Sequence, residues 1–96
     1  MSFEVVILGQ GKLGIHLTNT LLESKVKAIN LPFRTTCFSE CSFDQCIPYV
    51  IDCMDISHSN LIDYEQIQDS INQARSEFIS NNSLSRYLYI SSANLY

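Results

Sequence analysis

The sequence predicts an α/β domain: a parallel sheet of four or five strands flanked by helices, left incomplete by the length of the chain. Three observations carry this. Val5-Val6-Ile7-Leu8 is an unbroken apolar run, as in a parallel strand covered on both faces. Behind it stands Gly9-Gln10-Gly11-Lys12-Leu13-Gly14, which opens a stripe at helical spacing. Two more apolar runs, Tyr49 to Met54 and Arg86 to Ile90, bracket a long helical pattern, and alternation of strand with helix is what a parallel sheet requires.

The first strand ends in glycines ordered G-x-G-x-x-G, the spacing of a Rossmann-like nucleotide-binding turn. In that arrangement Gly9 permits the sharp turn, Gly11 lets a pyrophosphate approach the backbone, and Gly14 lets the helix lie close to the strand. Phosphate then meets free N–H groups at the positive end of the helix dipole. Gly9, Gln10, Gly11, Lys12, Leu13 and Gly14 are therefore the candidate cofactor-binding residues. The structural alternative is a turn whose glycines serve tight strand-to-helix packing alone.

Leu13, Leu17 and Leu21 recur every four residues, widened by Ile15 and Leu22, and define one face of the first helix. His16 falls off that stripe and reads as a solvated surface residue. Ser24-Lys25 closes the helix, and Val26 to Leu31 reads as the second strand, ended by Pro32, which has no N–H for a ladder. An NAD-binding unit places an Asp or Glu at the end of this strand to hold the ribose 2′-hydroxyl. The window Asn30-Leu31-Pro32-Phe33-Arg34-Thr35-Thr36 has no carboxylate. Arg34, with two threonines beside it, is instead the chemistry that meets a 2′-phosphate, because a guanidinium pairs with phosphate in bidentate fashion. NADP is thus favoured over NAD, the alternative being that Arg34 merely faces solvent.

Residues 35 to 48 show neither period and are too few for both a helix and a further strand. Tyr49 to Met54 is then the third strand, lying on the far side of the first. The clearest helix runs from about Asn60 or Asp63 to Ser80. Tyr64, Ile67, Ile71, Ala74 and Phe78 repeat at steps of three and four, and Asp63 with Gln66 resembles a capping box. Asn81-Asn82-Ser83 supplies the stop, since Asn tolerates the left-handed conformation that ends helices. Arg86 to Ile90 is the last strand.

The bulk properties exclude several classes. Ninety-six residues make at most one domain, and a chain of this size buries only about 60% of its unfolded surface. Ten acidic against six basic residues give a net charge of -4 with no basic cluster, which argues against nucleic acid as a partner. No apolar run approaches the roughly 18 residues that span a bilayer, and the N-terminus lacks a basic leader, so a cytoplasmic protein without a membrane partner is the expectation. Cys37, Cys41, Cys46 and Cys53 lack the C-x2-C spacing by which two thiolates grip one zinc. They read as small hydrophobes or loop thiols, with no metal ligand among them.

Both ends of the chain resemble the extended short-chain dehydrogenase/reductase family, the nucleotide-sugar epimerases, dehydratases and reductases. Ile7-Leu8-Gly9-Gln10-Gly11-Lys12-Leu13-Gly14 is similar to its atypical and dTDP-4-dehydrorhamnose-reductase-like branches. Tyr89-Ile90-Ser91-Ser92-Ala93-Asn94-Leu95-Tyr96 resembles the family's strand running into a Ser-Ser-x-x-Val-Tyr-Gly turn. By that resemblance Ser92 is the catalytic serine that hydrogen-bonds the substrate's reacting oxygen, and Gln68 stands where the family's helix has Asn. The family's Ala-Ala is replaced by Met54-Asp55. Its Tyr-x-x-x-Lys, in which Lys lowers the phenol's pKa for hydride transfer at carbon, is missing, since no lysine follows Lys27. The resemblance therefore implies the NAD(P)-binding portion of an oxidoreductase, inactive alone, whose full-length form acts on a nucleotide sugar.

Two other readings stand beside it. One is a stand-alone nucleotide-sensing module, similar to the regulatory domains of potassium channels, and the other is an assembly module that keeps only the fold. In every case two helices for four strands leave sheet faces half covered, and Tyr87-Leu88-Tyr89-Ile90 forms an edge with Arg86 as its only charged guard, so self-association is expected.

Overall fold

The computed structural model describes residues 3–9, 11–54 and 64–90. Within them the chain runs β1 (Val5–Leu8), α1 (Lys12–Glu23), β2 (Ala28–Leu31), a 3-10 turn (Phe38–Glu40), β3 (Ile47–Asp52), α2 (Tyr64–Asn81) and β4 (Leu84–Tyr89). All strand pairs are parallel, and their order across the sheet is β2-β1-β3-β4. The fold is thus α/β with a four-stranded all-parallel sheet, consistent with an incomplete Rossmann-like fold.

Handedness distributes the helices. A parallel crossover is right-handed, and the chain moves one way along the sheet from β1 to β2 and the other way from β3 to β4. Its two helices must therefore cover opposite faces. Alternating side chains of β1 record this: Val5 and Ile7 join Ala28 in packing against Leu17 and Leu21 of α1, whereas Val6 and Leu8 join Val50 in packing against Ile71, Ala74 and Phe78 of α2. The crossover from β2 to β3 moves in the same sense as that from β3 to β4, so it belongs on the α2 face. Phe38, in the 3-10 turn, is buried in that same cluster.

No α-helix forms in residues 35 to 48, and aromatic packing takes its place. Phe38 and Phe43 meet the fully buried Phe78 edge-on, with ring centroids 6.3 and 6.4 Å away. Burying a side chain of this size is worth about 1.5–3 kcal/mol. Two asparagines fasten the segment to the end of α2. Asn82 donates to the carbonyl of Cys41 and accepts from the N–H of Phe43, and Asn81 donates to the carbonyls of Phe38 and Ser39.

Several boundaries differ from those read in the sequence. β3 begins at Ile47, with Pro48 inside it rather than in the preceding loop. Ile47 donates its N–H toward β4, to Ser83, whereas Tyr49 and Cys53 donate toward β1. The hydrogen-bonding sense changes sides at Pro48, which has no N–H to lose, and Ile47 thereby shares a face with Val50. β2 covers only Ala28–Leu31, and β4 starts at Leu84. α2 ends one residue late, and by a different device: Asn82 caps the carbonyl of Phe78 with its side chain at 2.9 Å, and neither Asn adopts a left-handed backbone. That conformation occurs instead at Lys25, φ 64°, closing α1. Leu13, Ile15 and Leu22, assigned to the buried stripe of α1, are 44–50% exposed, because α1 presses only Leu17 and Leu21 onto the narrow β1–β2 surface. Asp63, half of the proposed capping box, lies outside the described residues. Among the described residues no helix is long and apolar enough to cross a membrane.

Candidate functional site

β1 delivers the chain to Gly9 at the carboxyl end of the sheet, where strand order reverses: β2 lies on one side and β3 on the other. Open parallel sheets bind ligands in this crevice. Gly9 has φ +99°, a conformation that side chains strongly disfavour. Its N–H reaches the carbonyl of Leu31 at 2.9 Å, and its carbonyl accepts from the Asn30 side-chain amide at 2.6 Å, both from β2. On the β3 side a Cβ at Gly9 would come within 3.0–3.1 Å of the backbone of Cys53 and Met54.

The other two glycines divide their roles. A Cβ at Gly14 would stand 2.5 Å from the Gly9 carbonyl oxygen, so this glycine is required by helix–strand contact. At Gly11 a Cβ would meet nothing within 4 Å among the described residues, so no packing by them demands a glycine there. Gly11 is also the N-cap of α1, and it offers no side chain to satisfy the amides of the first turn. That turn has no acidic residue, and Lys12 is exposed beside it. Free N–H groups, the dipole and a lysine all favour an anion.

Of the other sequence candidates, Leu13 is exposed on the first turn, and Arg34 is exposed in the turn of residues 33–35 just past β2. Gln10 and Ser92 lie outside the described residues. Asn30 is the residue of the β2 window that reaches the glycine turn, and it does so as a donor that shapes Gly9 rather than as the ribose acceptor sought there. His16 is exposed. None of the four cysteines is disulfide-bonded. Burial pushes the Cys41 and Cys53 thiols up, with the Asp52 charge adding to the effect at Cys53, so both stay protonated and unreactive at neutral pH.

A second cluster sits at the same end of the sheet, on its α2 face. Asp52, the last residue of β3, is fully buried. One carboxylate oxygen accepts the Met54 N–H at 2.9 Å; the other accepts Nε of Arg75, from α2, and the hydroxyl of Tyr87, from β4. Arg75 continues to the Met54 carbonyl at 3.2 Å and Asn72 Oδ1 at 2.9 Å, and its guanidinium stacks 4.8 Å from the Tyr89 ring centre. The Asp52 carbonyl also accepts the Ile90 N–H at 2.9 Å. Sequence reasoning passed over this group, and its one local signal was a carboxylate closing an otherwise apolar central strand.

The cluster bears on the missing tyrosine–lysine pair. Burial raises the Tyr87 pKa well above the ordinary phenol range, and the hydrogen bond to Asp52 raises it further. A phenol whose proton is held by a carboxylate is the reverse of one poised to act as acid or base near neutrality. Tyr89 offers Arg75 its face rather than its hydroxyl. A groove of about 210 Å³ between Phe33, Thr36, Phe38 and the Ser70–Glu77 flank of α2 includes none of the glycine-turn residues, and it falls below the ~300 Å³ at which small-molecule sites begin.

Comparisons with protein-family models, with characterised proteins and with solved structures return no match, so the reading of this site rests on its geometry.

Proposed function

We propose that the turn from Gly9 to Gly14 binds the pyrophosphate of a dinucleotide, NADP or NAD, and that the chain is the cofactor-binding portion of an oxidoreductase similar to the nucleotide-sugar epimerases, dehydratases and reductases. The supporting observation is the open space at Gly11. Packing accounts for Gly9 and Gly14 but not for a glycine at the uncapped helix start, where a phosphate needs backbone access. Arg34, just past β2, is the candidate partner of a 2′-phosphate and favours NADP. Ser92 keeps its role through the family resemblance alone, as does a nucleotide-sugar substrate of a longer form. Tyr87, its pKa raised by burial and its proton held by Asp52, is not poised as an acid or base near neutrality, which supports a binding role for this chain.

Gly11→Val separates binding from folding. The position has room among the described residues and an ordinary φ of -66°, so the fold should survive with about 1 kcal/mol lost to the poorer N-cap, while calorimetric titration with NADP loses its signal. Absence of heat from wild-type chain at millimolar NADP or NAD removes the reading. A nucleotide-sensing or assembly module is the second reading, favoured by the bare strip of sheet at Tyr49 and Leu88, 47% and 55% exposed, through which copies of the chain can associate.

A further inference from the structure

We infer that Asp52 is a positioning residue for the glycine turn: its carboxylate fixes the Cys53–Met54 segment that walls the turn, and Arg75 and Tyr87 hold that carboxylate in place. The inference rests on reading the turn as a nucleotide site and extends it to residues outside the turn.

The path is short and continuous. Gly9 bends with its α-carbon against Cys53 and Met54, so close that a Cβ would sit 3.0 Å from the Cys53 carbonyl carbon and 3.1 Å from the Met54 nitrogen. The wall is therefore a template for the turn's shape. Its two N–H groups are both placed: Cys53 N–H by the Leu8 carbonyl at 2.8 Å, and Met54 N–H by Asp52 Oδ1 at 2.9 Å. Only the second uses a side chain. It folds the backbone back over Asp52 just past the end of β3.

Asp52 needs both its partners to do this. Its carboxylate is fully buried, and a buried carboxylate without compensating donors rotates, protonates or draws in water. Arg75 Nε and the Tyr87 hydroxyl fill the second oxygen, leaving the first free for Met54. Arg75 adds a bond of its own to the Met54 carbonyl, so Met54 is gripped at both its N–H and its C=O. No described buried side-chain polar atom is left unpaired, which makes the cluster rigid rather than adaptable. A role confined to stability would require only that α2 and β4 be tied to β3. The bonds to Met54 go beyond that tie, since they act on the loop and not on either element.

Amide hydrogen exchange on the full chain, with calorimetric titration of NADP, tests this. In Asp52→Asn the amides of Gly9, Cys53 and Met54 should exchange about tenfold faster relative to those of Val6 and Ile7, and NADP affinity should fall about tenfold. Should Asp52→Asn not fold, Tyr87→Phe removes one donor and must shift the same ratio in the same direction. If all amides quicken together, the cluster is merely structural and the inference fails. It fails equally if the turn amides loosen while NADP binding is unchanged. Failure of wild type to bind NADP overturns the nucleotide reading instead, and the exchange ratio then decides by itself whether Asp52 positions the turn.

Discussion

The two halves of this sheet solve the same geometric problem with opposite chemistry. In β1–α1–β2 the helix is brought against its strand by removing side chains: Gly14 lies against the Gly9 carbonyl, and the buried set is aliphatic, Val5, Ile7 and Ala28 with Leu17 and Leu21. In β3–α2–β4 the helix is tied to its strands by adding side chains, an Asp–Arg–Tyr group that joins one residue from each element. Contact through glycine leaves helix amides and backbone bare at one end of the sheet. Contact through charge fills the α2 face and leaves no buried side-chain polar atom unpaired among the described residues. Of the two, only the first half has the openness that an anion site requires, while the second has the rigidity that a scaffold requires.

Removing the charge should have the largest effect. Asp52→Ala strands Arg75, the Tyr87 hydroxyl and the Met54 N–H together, and breaking a buried pair costs about 3–5 kcal/mol. The Arg75 side chain is 19% exposed and can partly rehydrate, so the lower end, about 3 kcal/mol, is expected in urea denaturation. A loss below about 1 kcal/mol would erase the contrast between the halves, placing the cluster among ordinary surface pairs. Next comes the glycine contact. Gly14→Ala forces a methyl 2.5 Å from a backbone oxygen that cannot swing away. Overpacking of this kind costs about 2 kcal/mol, more than the roughly 1 kcal/mol that Ala contributes over Gly in a helix. A melting temperature at or above wild type would show that α1 shifts freely.

These expectations also mark what could be seen in advance. The glycine half was legible because its partners are near in sequence: Gly9 meets Gly14 five residues on, and the strand–turn–helix pattern states the geometry. The reversal of strand order at β1 was legible as a third strand on the far side of the first, and crossover handedness then puts α1 and α2 on opposite faces. The Asp52 group was not legible, since Arg75 and Tyr87 lie 23 and 35 residues away and nothing local in either marks a partner. Pro48 misplaced the start of β3, because a proline inside a central strand is tolerated only where the pairing changes sides. The exposed Leu13, Ile15 and Leu22 satisfy a helical stripe that the narrow β1–β2 surface cannot cover.

Alkaline pH gives a smaller and reversible version of the Asp52 test. The folded state holds the Tyr87 phenol protonated above its unfolded value of about 10, so the stabilisation is complete below that pH and fades as pH rises through the unfolded and toward the folded value. The phenol is only half-buried, so the loss should be less than that of Asp52→Ala. Denaturation midpoints measured between pH 8 and pH 11 should fall more steeply for wild type than for Tyr87→Phe. Equal slopes would mean that Asp52 does not hold the phenol's proton.

The smallest effect on stability, and the one that separates the two faces, belongs to Leu88. It lies on β4 beside Tyr87, points to the face opposite α2, and is 55% exposed, with Tyr49 nearby on the same uncovered strip. A residue so placed contributes little to the core, and Leu88→Lys should change the unfolding free energy by no more than about 0.5 kcal/mol. Its consequence falls on association instead. β4 is an outer strand of the sheet, and a lysine on an edge opposes both strand pairing and burial of the adjoining apolar strip. Tyr89 is the poorer choice for this test, because its ring carries Arg75 and its loss would disturb the Asp52 group as well. Sedimentation at high micromolar concentration should show wild type heavier than a monomer and Leu88→Lys shifted toward one. A wild-type chain that is already monomeric would show that the bare strip is not a surface for a second copy, leaving the charge-tied half self-sufficient despite having only one of its faces covered.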